Sequence, residues 1–595
     1  MKRNLSKKET VIILILCLIC MVGGYLLFNF KTNTDEINSE NSILHKKTIT
    51  LDSNSTTYKF SIDNSQRIDL EYNISVKNKN FKSLNYKLER DSNEVSNGVL
   101  LRDNNIINTD ILSSKMSFDY TLKLDTSEDL NSLSDKSIEL EVVGIHSNYY
   151  PYQITVTMPK NPQTERNFTW HTLFKDYSNE LELVEARDLN KTSIDFSNID
   201  GVKKYKSEVL KDENSMDYLN RVKVYKLKPG TKYFYRVGDS RKNLWSPIGE
   251  FKTDNGDDNF KFIFVSDSQS EVKEEKQSTY AINVAKNTVK DYEFIVNAGD
   301  FVNQSCNKKQ WKNNLNFSIY GDTSFITAVG NHDWNYGCDS NYSFVNNFYY
   351  DLDDQNFETG AYYSLDYGNV HITVLNTNNE YYSKLNDKQY KWLIKDLKST
   401  NAKNAKYRIV LMHRGIYTTG PHYYYYKDIQ PLTKQLASVM SDGDVDLVLQ
   451  GHDHVYSLTY PLDNSGAVTS VNYKDVYSNE TNKSIKSMYQ NKGPVYFIGD
   501  AIGPKHEAQL VKKDSGYVVD PNMDKDYTNK LDTKIVDEYF SKFQIRNTPY
   551  NKNNERYGIF SSIEIKGNDL IVNSYAVDNI NYNEVKLYNS FAISK

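Results

Sequence analysis

Five short apolar runs in the second half of the chain each end in side chains that can bind a metal ion. The runs read FIFVSDSQ, FIVNAGDFVN, FITAVGNHD, RIVLMHRG and DLVLQGHDH. Because ligands of α/β sheets bind beyond the carboxyl ends of the strands, we expect the five ends to converge on one point. The candidate metal ligands are Asp267, Gln269, Asp300, Asn331, His413, His452 and His454. Carboxylate, imidazole and amide oxygen together suit first-row divalent metals better than calcium.

Each run alone is a weak signal. A glycine–aspartate pair is more often a turn, and a single histidine after an apolar run, such as His371, is more often a hydrogen-bonded core residue. The sequence GHDH is stronger, because it places two imidazoles on one tight loop. Five such runs in one chain therefore predict a metal site.

The elements around these runs predict an α/β layered domain over residues 258–595. Short apolar runs alternate with amphipathic stretches such as NDKQYKWLIKDLKS, for which Asn386 is the candidate N-cap. One face of that helix would carry Tyr390, Leu393 and Leu397. A β-hairpin is expected at Gly567-Asn568, and the polar stretches 463–492 and 512–554 read as surface insertions.

Two all-β sandwich domains are expected before the α/β domain. Residues 31–160 show short alternating runs separated by Asn, Asp and Ser, and no motif there indicates a role. Residues 166–254 contain LKPGTKYFYRV, in which a Pro-Gly turn precedes alternating Tyr233, Tyr235 and Val237. This pattern predicts a hairpin-like strand. The stretch PKNPQTER reads as the linker between the two domains.

An apolar run near the N-terminus predicts a membrane anchor. Residues 11–30 have the length needed to cross a bilayer, and four basic residues precede them, Lys2, Arg3, Lys7 and Lys8. Residues 1–10 would then be a cytoplasmic tail and the bulk of the chain extracellular. No small-x-small pattern follows, which favours an uncleaved signal anchor over secretion after cleavage.

Composition restricts the partners and the redox chemistry. A net charge of −5 over 595 residues argues against nucleic-acid binding as a main role. The chain is also too long for one core, so several domains are expected. Outside the cell, Cys306 and Cys338 form a candidate disulfide, with two free buried thiols as the alternative.

The motifs SDSQ, GDFVN, GNHD, VLMH and GHDH resemble the five signature blocks of the calcineurin-like metallophosphoesterase superfamily. Residues 166–254 resemble the fibronectin type III-like domain that opens purple acid phosphatases, so the similarity is to that branch. The resemblance implies an αββα sandwich with two metal ions. It covers the chain from about residue 167 onward, and leaves the first sandwich and the anchor outside.

The resemblance also assigns a role to each candidate ligand. Asp300 would bridge both ions, since two cations about 4 Å apart need a shared anion. Asp267 and His454 would complete the first ion. The second ion would be held by the remaining ligands of the family pattern, Asn331, His413 and His452.

Four further residues have roles implied by the resemblance. His332 would touch the phosphate or assist the leaving group. His422 lies where acid phosphatases carry another substrate-facing histidine, with a solvated loop residue as the alternative. Asn303 and Asp333 would lie outside the metal ligands, Asp333 orienting a neighbouring histidine.

Two positions depart from the family pattern. Purple acid phosphatases have a glycine two residues after the first Asp and a tyrosine three after the second, whose phenolate binds ferric iron. Here the positions hold Gln269 and Asn303. Without the tyrosinate, we expect two divalent ions, Mn, Fe or Zn. Gln269 would offer its amide oxygen to the first ion or hydrogen-bond a coordinated water.

The expected function is that of an extracellular, membrane-anchored phosphatase. It would hydrolyse phosphate monoesters of small molecules or surface molecules by in-line attack of a metal hydroxide. A phosphodiesterase or nucleotide hydrolase built on the same ligands is the first alternative. A surface binding or adhesion protein with a decayed phosphatase scaffold is an alternative of another class, and the complete ligand set argues against it.

Overall fold

The computed structural model describes residues 43–595 apart from 64–69, 83, 101–102, 113–115, 146–149, 188, 192–193, 213–216, 242–243, 270–274, 335–341, 355–359, 379–383, 424–426, 428, 490–491, 506–509, 514–515, 520–530, 547, 549–556 and 579–583. The chain divides into two compact units, Met1–Ser147 and Asn148–Lys595. Within the described part of the chain, no helix is both long and apolar enough to span a bilayer. The predicted anchor, residues 11–30, lies outside that part.

The first unit is an antiparallel β-sandwich, as the alternating runs predict. Its described strands are β1 (Ile43–Thr50), β2 (Ser55–Asp63), β3 (Leu70–Asn78), β4 (Leu84–Arg90), β5 (Asn93–Leu100), β6 (Asp103–Leu112), β7 (Ser117–Asp125) and β8 (Ser137–Ile145). One sheet has the order β1-β8-β3-β6 and the other β2-β7-β4-β5. Alternate residues of both sheets, such as Ile74, Leu122 and Leu140, fill a shared apolar core.

The second unit begins with a β module. Its described strands are β9 (Tyr152–Thr157), β10 (Arg166–Thr172), β11 (Glu180–Glu185), β12 (Lys203–Lys206), β13 (Glu208–Lys211), β14 (Tyr218–Val224), β15 (Lys232–Asp239), β16 (Leu244–Trp245) and β17 (Gly249–Lys252). Tyr233, Tyr235 and Val237 lie in the strand β15, as their alternation predicts, and all three are buried in the core of the module. The preceding turn does not close a hairpin, however. It leads from β14 to β15, which lie in different sheets.

An α/β module follows the β module. Its described strands are β18 (Asn259–Val265), β19 (Phe294–Asn297), β20 (Ser324–Thr327), β21 (Tyr363–Tyr367), β22 (Val370–Val374), β23 (Tyr407–Arg414), β24 (Leu447–Gly451), β25 (Tyr456–Thr459), β26 (Asn472–Ser478), β27 (Lys483–Tyr489), β28 (Val495–Gly499), β29 (Leu510–Lys513), β30 (Gly516–Val519), β31 (Phe543–Ile545), β32 (Gly558–Lys566), β33 (Asp569–Val577) and β34 (Val585–Ser594). Its described α-helices are α1 (Glu275–Thr288), α2 (Lys308–Asn314), α3 (Asn331–Trp334), α4 (Tyr342–Asn347), α5 (Asp387–Leu397), α6 (Thr400–Asn404), α7 (Gln430–Asp442) and α8 (Thr533–Phe540).

Two sheets and flanking helices form the layers of the α/β module. The smaller sheet has the order β21-β22-β23-β24-β28-β25-β31, with parallel pairing from β22 through β28. The larger sheet contributes β20-β19-β18-β32-β33-β34-β27-β26. Side chains of both, such as Phe264, Val296, Leu411 and Leu449, belong to one buried cluster. Helix α1 contacts β18 and β32, and α5 contacts β22, so helices cover both sheets. This is the expected α/β sandwich.

Strand β9 joins the β module to the α/β module. It pairs with β10 on one side and parallel with β20 on the other, where Val156 lies opposite Ser324. The structure thus places β9 in the second unit, whereas the sequence assigned residues up to 160 to the first sandwich. The alternating pattern of residues 152–157 does mark a strand, but alternation does not indicate which sheet a strand joins.

Local signals predicted the helix α5 and the last hairpin well. Asn386 caps α5 by accepting a hydrogen bond from the backbone N–H of Gln389, and Leu393 and Leu397 are buried. Gly567, with φ +57°, turns the chain between β32 and β33. The two predicted surface insertions are instead partly structural. Strand β27 pairs with β34, and α8 contributes to a buried cluster of the smaller sheet.

Candidate metal centre

The five predicted strand ends are strand ends in the structure, but they come from two sheets. Strands β18, β19 and β20 are parallel neighbours in the larger sheet, and β23 and β24 are parallel neighbours in the smaller one. The side chains that follow these strands nevertheless meet, because the two sheets face each other across one core.

Three of the motif residues adopt a left-handed backbone conformation. The φ angles are +54° at Asp267, +55° at Asp300 and +74° at His452. Residues with a Cβ rarely occupy this region, which costs of order 1 kcal/mol each, and such residues cluster at functional sites. The three turns mark the loops that carry the candidate ligands.

Two motif glycines allow these loops to approach each other. A Cβ added to Gly330 would lie 2.0 Å from Oδ1 of Asp300. A Cβ added to Gly451 would lie 2.1 Å from Oγ of Ser266 and 2.7 Å from Oδ2 of Asp267. Neither position has room for any side chain, so GNHD and GHDH need glycine for close packing against the ligands.

Asp300 lies at the centre of the candidate ligands. Its Oδ2 is 3.2 Å from Nε2 of His413 and accepts a hydrogen bond from Nε2 of Gln269 at 3.0 Å. Its Oδ1 accepts from the backbone N–H of His332 at 2.9 Å. The same Nε2 of His413 is 2.9 Å from Oδ1 of Asn331. Asp300 therefore lies between residues predicted for the first ion and residues predicted for the second.

The electrostatics of this group favour a bound cation. Burial raises the pKa of Asp300, but the charges of His413 and His332 outweigh burial and hold that pKa well below its ordinary value. Burial lowers the pKa of His413, while the charge of Asp300 raises it to a net value above the ordinary one. Asp300 is thus ionised, and a metal ion beside it would replace the proton of His413 as countercharge.

Asp267, His454 and Gln269 form the neighbouring group. Nε2 of His454 is 3.4 Å from Oδ1 of Asp267 and 3.5 Å from Nε2 of Gln269. Nδ1 of His454 donates to the backbone carbonyl of Lys505 at 2.7 Å, which leaves the lone pair of the imidazole on Nε2. This is the ring orientation that a metal ligand requires.

The residues present fit two divalent ions. Ligand atoms of Asp300, His413 and His452 lie within 4.8 Å of one another. Oε1 of Gln269 is buried and, among the described residues, has no hydrogen-bond partner. A half-turn of this amide would direct Oε1 toward Asp300 and His454, which is favourable only with a cation between them. The amide is therefore placed as a ligand of the first ion would be.

His452 contacts two further side chains of the site. Its Nε2 is 3.2 Å from Nδ1 of His422 and 3.1 Å from Nη1 of Arg414. Burial lowers the pKa of His452 well below its ordinary value, and the charges of His422 and Arg414 lower it further, so the ring is neutral, as a metal ligand must be. The side chain of His422 is only 14% exposed, which contradicts the alternative of a solvated loop residue.

Arg414 is a site residue that the sequence analysis missed. It directly follows His413 in a strand, where alternation would point the two side chains to opposite faces. The pairing of β23 with β24 is irregular between Leu411 and Arg414, so the alternation is interrupted there. The sequence does contain a signal for Arg414, because this arginine directly follows a candidate ligand histidine at the end of an apolar run.

His332, Asn303 and Lys505 form one contact group at the side of the site. Nδ1 of His332 is 2.9 Å from the backbone carbonyl of Asn303, and its Nε2 is 3.1 Å from Nζ of Lys505. Nζ of Lys505 also donates to Oδ1 of Asn303 at 3.2 Å. Lys505 was not predicted, because a lysine after the apolar run of β28 does not match the metal-ligand pattern of the other strand ends.

Asp333 supports the loop of Asp300, whereas the predicted role was to orient a neighbouring histidine. Its carboxylate accepts hydrogen bonds from the backbone N–H groups of Asp300, Phe301, Val302 and Gly330 at 2.8, 2.8, 3.3 and 2.9 Å. Burial and the charge of Asp300 raise the pKa of Asp333 to about 7. Its role outside the metal ligands is therefore to fix the backbone on which Asp300 lies.

Two other predictions concern residues beside the site. Cys306 is disulfide-bonded, and Cys338, its predicted partner, lies outside the described residues. His371 is a buried core histidine, as predicted. Its Nδ1 lies 2.7 Å from Asp366 and its Nε2 lies 3.2 Å from Asp396.

A second group of metal-capable side chains lies in the β module. Ligand atoms of His171, Asp212 and Asp217 also lie within 4.8 Å of one another. However, Nζ of Lys308 forms an ion pair with Oδ2 of Asp212, and Oδ1 of Asp212 accepts from Asn346. The ammonium already provides the countercharge that a metal ion would bring. We therefore assign this group to the contact of the β module with α2 and α4.

Known protein families match two segments of the chain. Residues 260–456 match the calcineurin-like phosphoesterase family, and residues 151–253 match the purple acid phosphatase N-terminal domain. Purple acid phosphatase 21 of Arabidopsis thaliana is 24% identical over 44% of this chain and 60% of its own length. Acid phosphatase type 7 of Mus musculus is 26% identical over 48% of this chain and 64% of its own length. The chain thus spans less than two thirds of these relatives.

Solved structures show the same fold. Purple acid phosphatase PPD1 from yellow lupin (Lupinus luteus) superposes with a TM-score of 0.55 at 14% identity, over 93% of this chain and 96% of that one. A structure of PhoD gives a TM-score of 0.51 at 12% identity, over 75% of this chain and 91% of that one. The two family matches and the fold together make the second unit similar to metallophosphoesterases of the acid-phosphatase-like type. The resemblance to the purple-acid-phosphatase-like branch of the calcineurin-like superfamily is confirmed.

Proposed function

We propose that the protein is a metal-dependent phosphoric ester hydrolase that acts on phosphate monoesters. The observation that carries the proposal is the convergence of all seven predicted ligands, from five strand ends, around the buried carboxylate of Asp300. The relatives named acid phosphatases support a monoester, of a small molecule or a surface molecule, as the substrate.

Each group of site residues has a proposed role in the reaction. Two divalent ions, Mn, Fe or Zn, would be held by the seven ligands and would supply Lewis acidity that activates water and neutralises phosphate charge. Asp333 and the motif glycines keep the ligand loops in place. His332 and His422 are the candidates to hold a proton near the leaving oxygen, because neither is a predicted ligand and both lie beside one. The backbone N–H of His332 donates to Asp300, and the ring of His422 contacts the ring of His452.

We propose a location at the cell membrane, with the enzyme domain outside the cell. The apolar run of residues 11–30 and the basic residues before it support this proposal. Secretion after cleavage is the alternative, and N-terminal sequencing of the protein from its native host distinguishes the two.

Metal analysis and turnover of the purified protein test the proposed activity. We expect two divalent ions per chain and hydrolysis of a chromogenic phosphomonoester, both reduced in His452→Ala. His45→Gln, which lies in the first unit, is the matched control and should leave both unchanged.

Three outcomes would change the proposal. Turnover of a diester alone would favour a phosphodiesterase. Absence of both metal and turnover would favour the surface binding protein. Full metal content and rate in His452→Ala would contradict the assigned centre.

A further inference from the structure

We propose that Lys505, with His332 and Asn303, forms an anion-binding subsite that holds the phosphate group of the substrate. The inference rests on the proposed function and names a binding residue that the metal ligands do not include. Three contacts define it, namely Nζ of Lys505 to Nε2 of His332 at 3.1 Å, Nζ to Oδ1 of Asn303 at 3.2 Å, and the carbonyl of Lys505 to Nδ1 of His454 at 2.7 Å.

The backbone around Lys505 is fixed to the metal centre. The N–H of Ile502 donates to the carbonyl of Ser266 at 2.9 Å, and the N–H of Gly503 donates to the carbonyl of Asp267 at 3.1 Å. Two residues further along, the carbonyl of Lys505 accepts from His454. The loop after β28 is thus tied to two predicted metal ligands, and its lysine has a defined position at the site.

The charge of Lys505 lacks a carboxylate partner. Within the described part of the chain, its ammonium contacts only an imidazole and an amide oxygen, and no Asp or Glu lies within ion-pair distance. By contrast, Lys308 and Lys223 of the same unit are paired with Asp212 and Asp351. An ammonium has three donors, and two acceptors face this one, so one donor remains for an oxygen of a ligand.

An anion is the ligand that this arrangement fits. Two divalent ions beside Lys505 would add positive charge to a partly buried ammonium, which is unfavourable unless an anion lies among the three cations. A phosphate group meets this requirement, because its oxygens can contact metal ions and an N–H donor together. Asn303 accepts a hydrogen bond from the lysine without adding a negative charge.

Binding of inorganic phosphate to the metal-loaded full chain tests the subsite. We expect Lys505→Met to weaken phosphate binding, measured by calorimetry, about tenfold or more, the usual loss for a charge-assisted hydrogen bond. KM for a phosphomonoester should rise by a similar factor, while metal content and thermal stability stay unchanged. Lys505→Arg should retain phosphate binding within about threefold, because it keeps the charge and the donors.

Lys512→Met is the matched control. It removes one positive charge from the same segment, where Lys512 pairs with Asp537 at the surface, and should leave phosphate affinity and KM unchanged. An active protein in which Lys505→Met binds phosphate like Lys512→Met would overturn the subsite alone. A wild-type protein that holds its metals but neither binds phosphate nor hydrolyses esters would overturn the proposed function and the subsite together.

Discussion

Two clusters in this protein bring histidine and aspartate side chains close together, yet only one of them has the character of a metal centre. In each, a buried histidine and two further ligand residues place their atoms within 4.8 Å. One cluster, Asp300 with His413 and His452, lies at the strand ends of the α/β module. The other, His171 with Asp212 and Asp217, lies in the β module.

The difference between the clusters is the source of the countercharge. Lys308 of α2 reaches the carboxylate of Asp212 and neutralises it from within the chain. No lysine or arginine lies within ion-pair distance of Asp300 among the described residues, and its partners are imidazole, amide and backbone N–H groups. Residue types therefore define a metal site only when the surrounding charges leave the carboxylate without a cation from the chain itself.

The sharpest test of the comparison removes a carboxylate or imidazole from each cluster. Asp300→Asn should abolish binding of at least one metal ion and lower kcat more than about 100-fold, since even residues outside the ligand set contribute 10–100-fold. His171→Gln should leave the metal content unchanged. Elemental analysis and turnover measure both effects. Loss of metal from His171→Gln would mean that the β-module cluster also binds an ion.

Removing the built-in cation should destabilise the β-module cluster. Lys308→Met leaves the fully buried carboxylate of Asp212 without its ion pair, and we expect the free energy of unfolding to fall by about 3 kcal/mol. Urea-induced unfolding measures the change, with the exposed neighbour Lys309→Met as control. Equal stability of the two variants would contradict the assignment of Lys308 as the countercharge.

A third buried histidine between carboxylates, His371, should show a smaller effect that depends on pH. Burial lowers its pKa, but hydrogen bonds to Asp366 and Asp396 outweigh burial and raise it to about 9. Its contribution to stability is therefore fully present below about pH 6.5 and is lost as the pH rises through about 9. Between pH 6.5 and 8 the loss should reach about 2 kcal/mol.

His371→Gln isolates this contribution. The variant should be less stable than the wild type at pH 6, and the difference in unfolding free energy should shrink by pH 9.5. Metal content should not change, because His371 contacts none of the predicted ligands within the described structure. A stability difference that stays constant with pH would show that the ring is neutral in the folded protein.

The sequence predicted the ligands better than their surroundings. Asp267, Asp300 and His452 could be identified as ligands from their residue type and from their position after an apolar run. Both properties can be read from the sequence alone. Arg414 and Lys505 could not be found in that way. The position of Arg414 depends on a local interruption of strand alternation, and that of Lys505 on backbone pairing between loops far apart in the chain.

The same limit explains the errors in the fold. Tyr233 and Tyr235 were correctly predicted to lie in a strand, because alternation of residue types marks a strand. The crossing of the preceding turn between sheets, and the pairing of β9 with β20, depend on which strands meet after folding. Hydrophobic periodicity indicates that a strand exists, and it carries little information about its neighbours.

Strand β9 also joins two segments that match different protein families. One family match ends at residue 253 and the other begins at residue 260, which suggests a domain boundary between them. Strand β9 pairs with β10 on one side and with β20 on the other, so the β module and the α/β module share one sheet. A fragment that starts at residue 166 would expose two unpaired strand edges, which favour aggregation. The two segments that match separate families are therefore joined here by backbone pairing into one body, which should unfold as one.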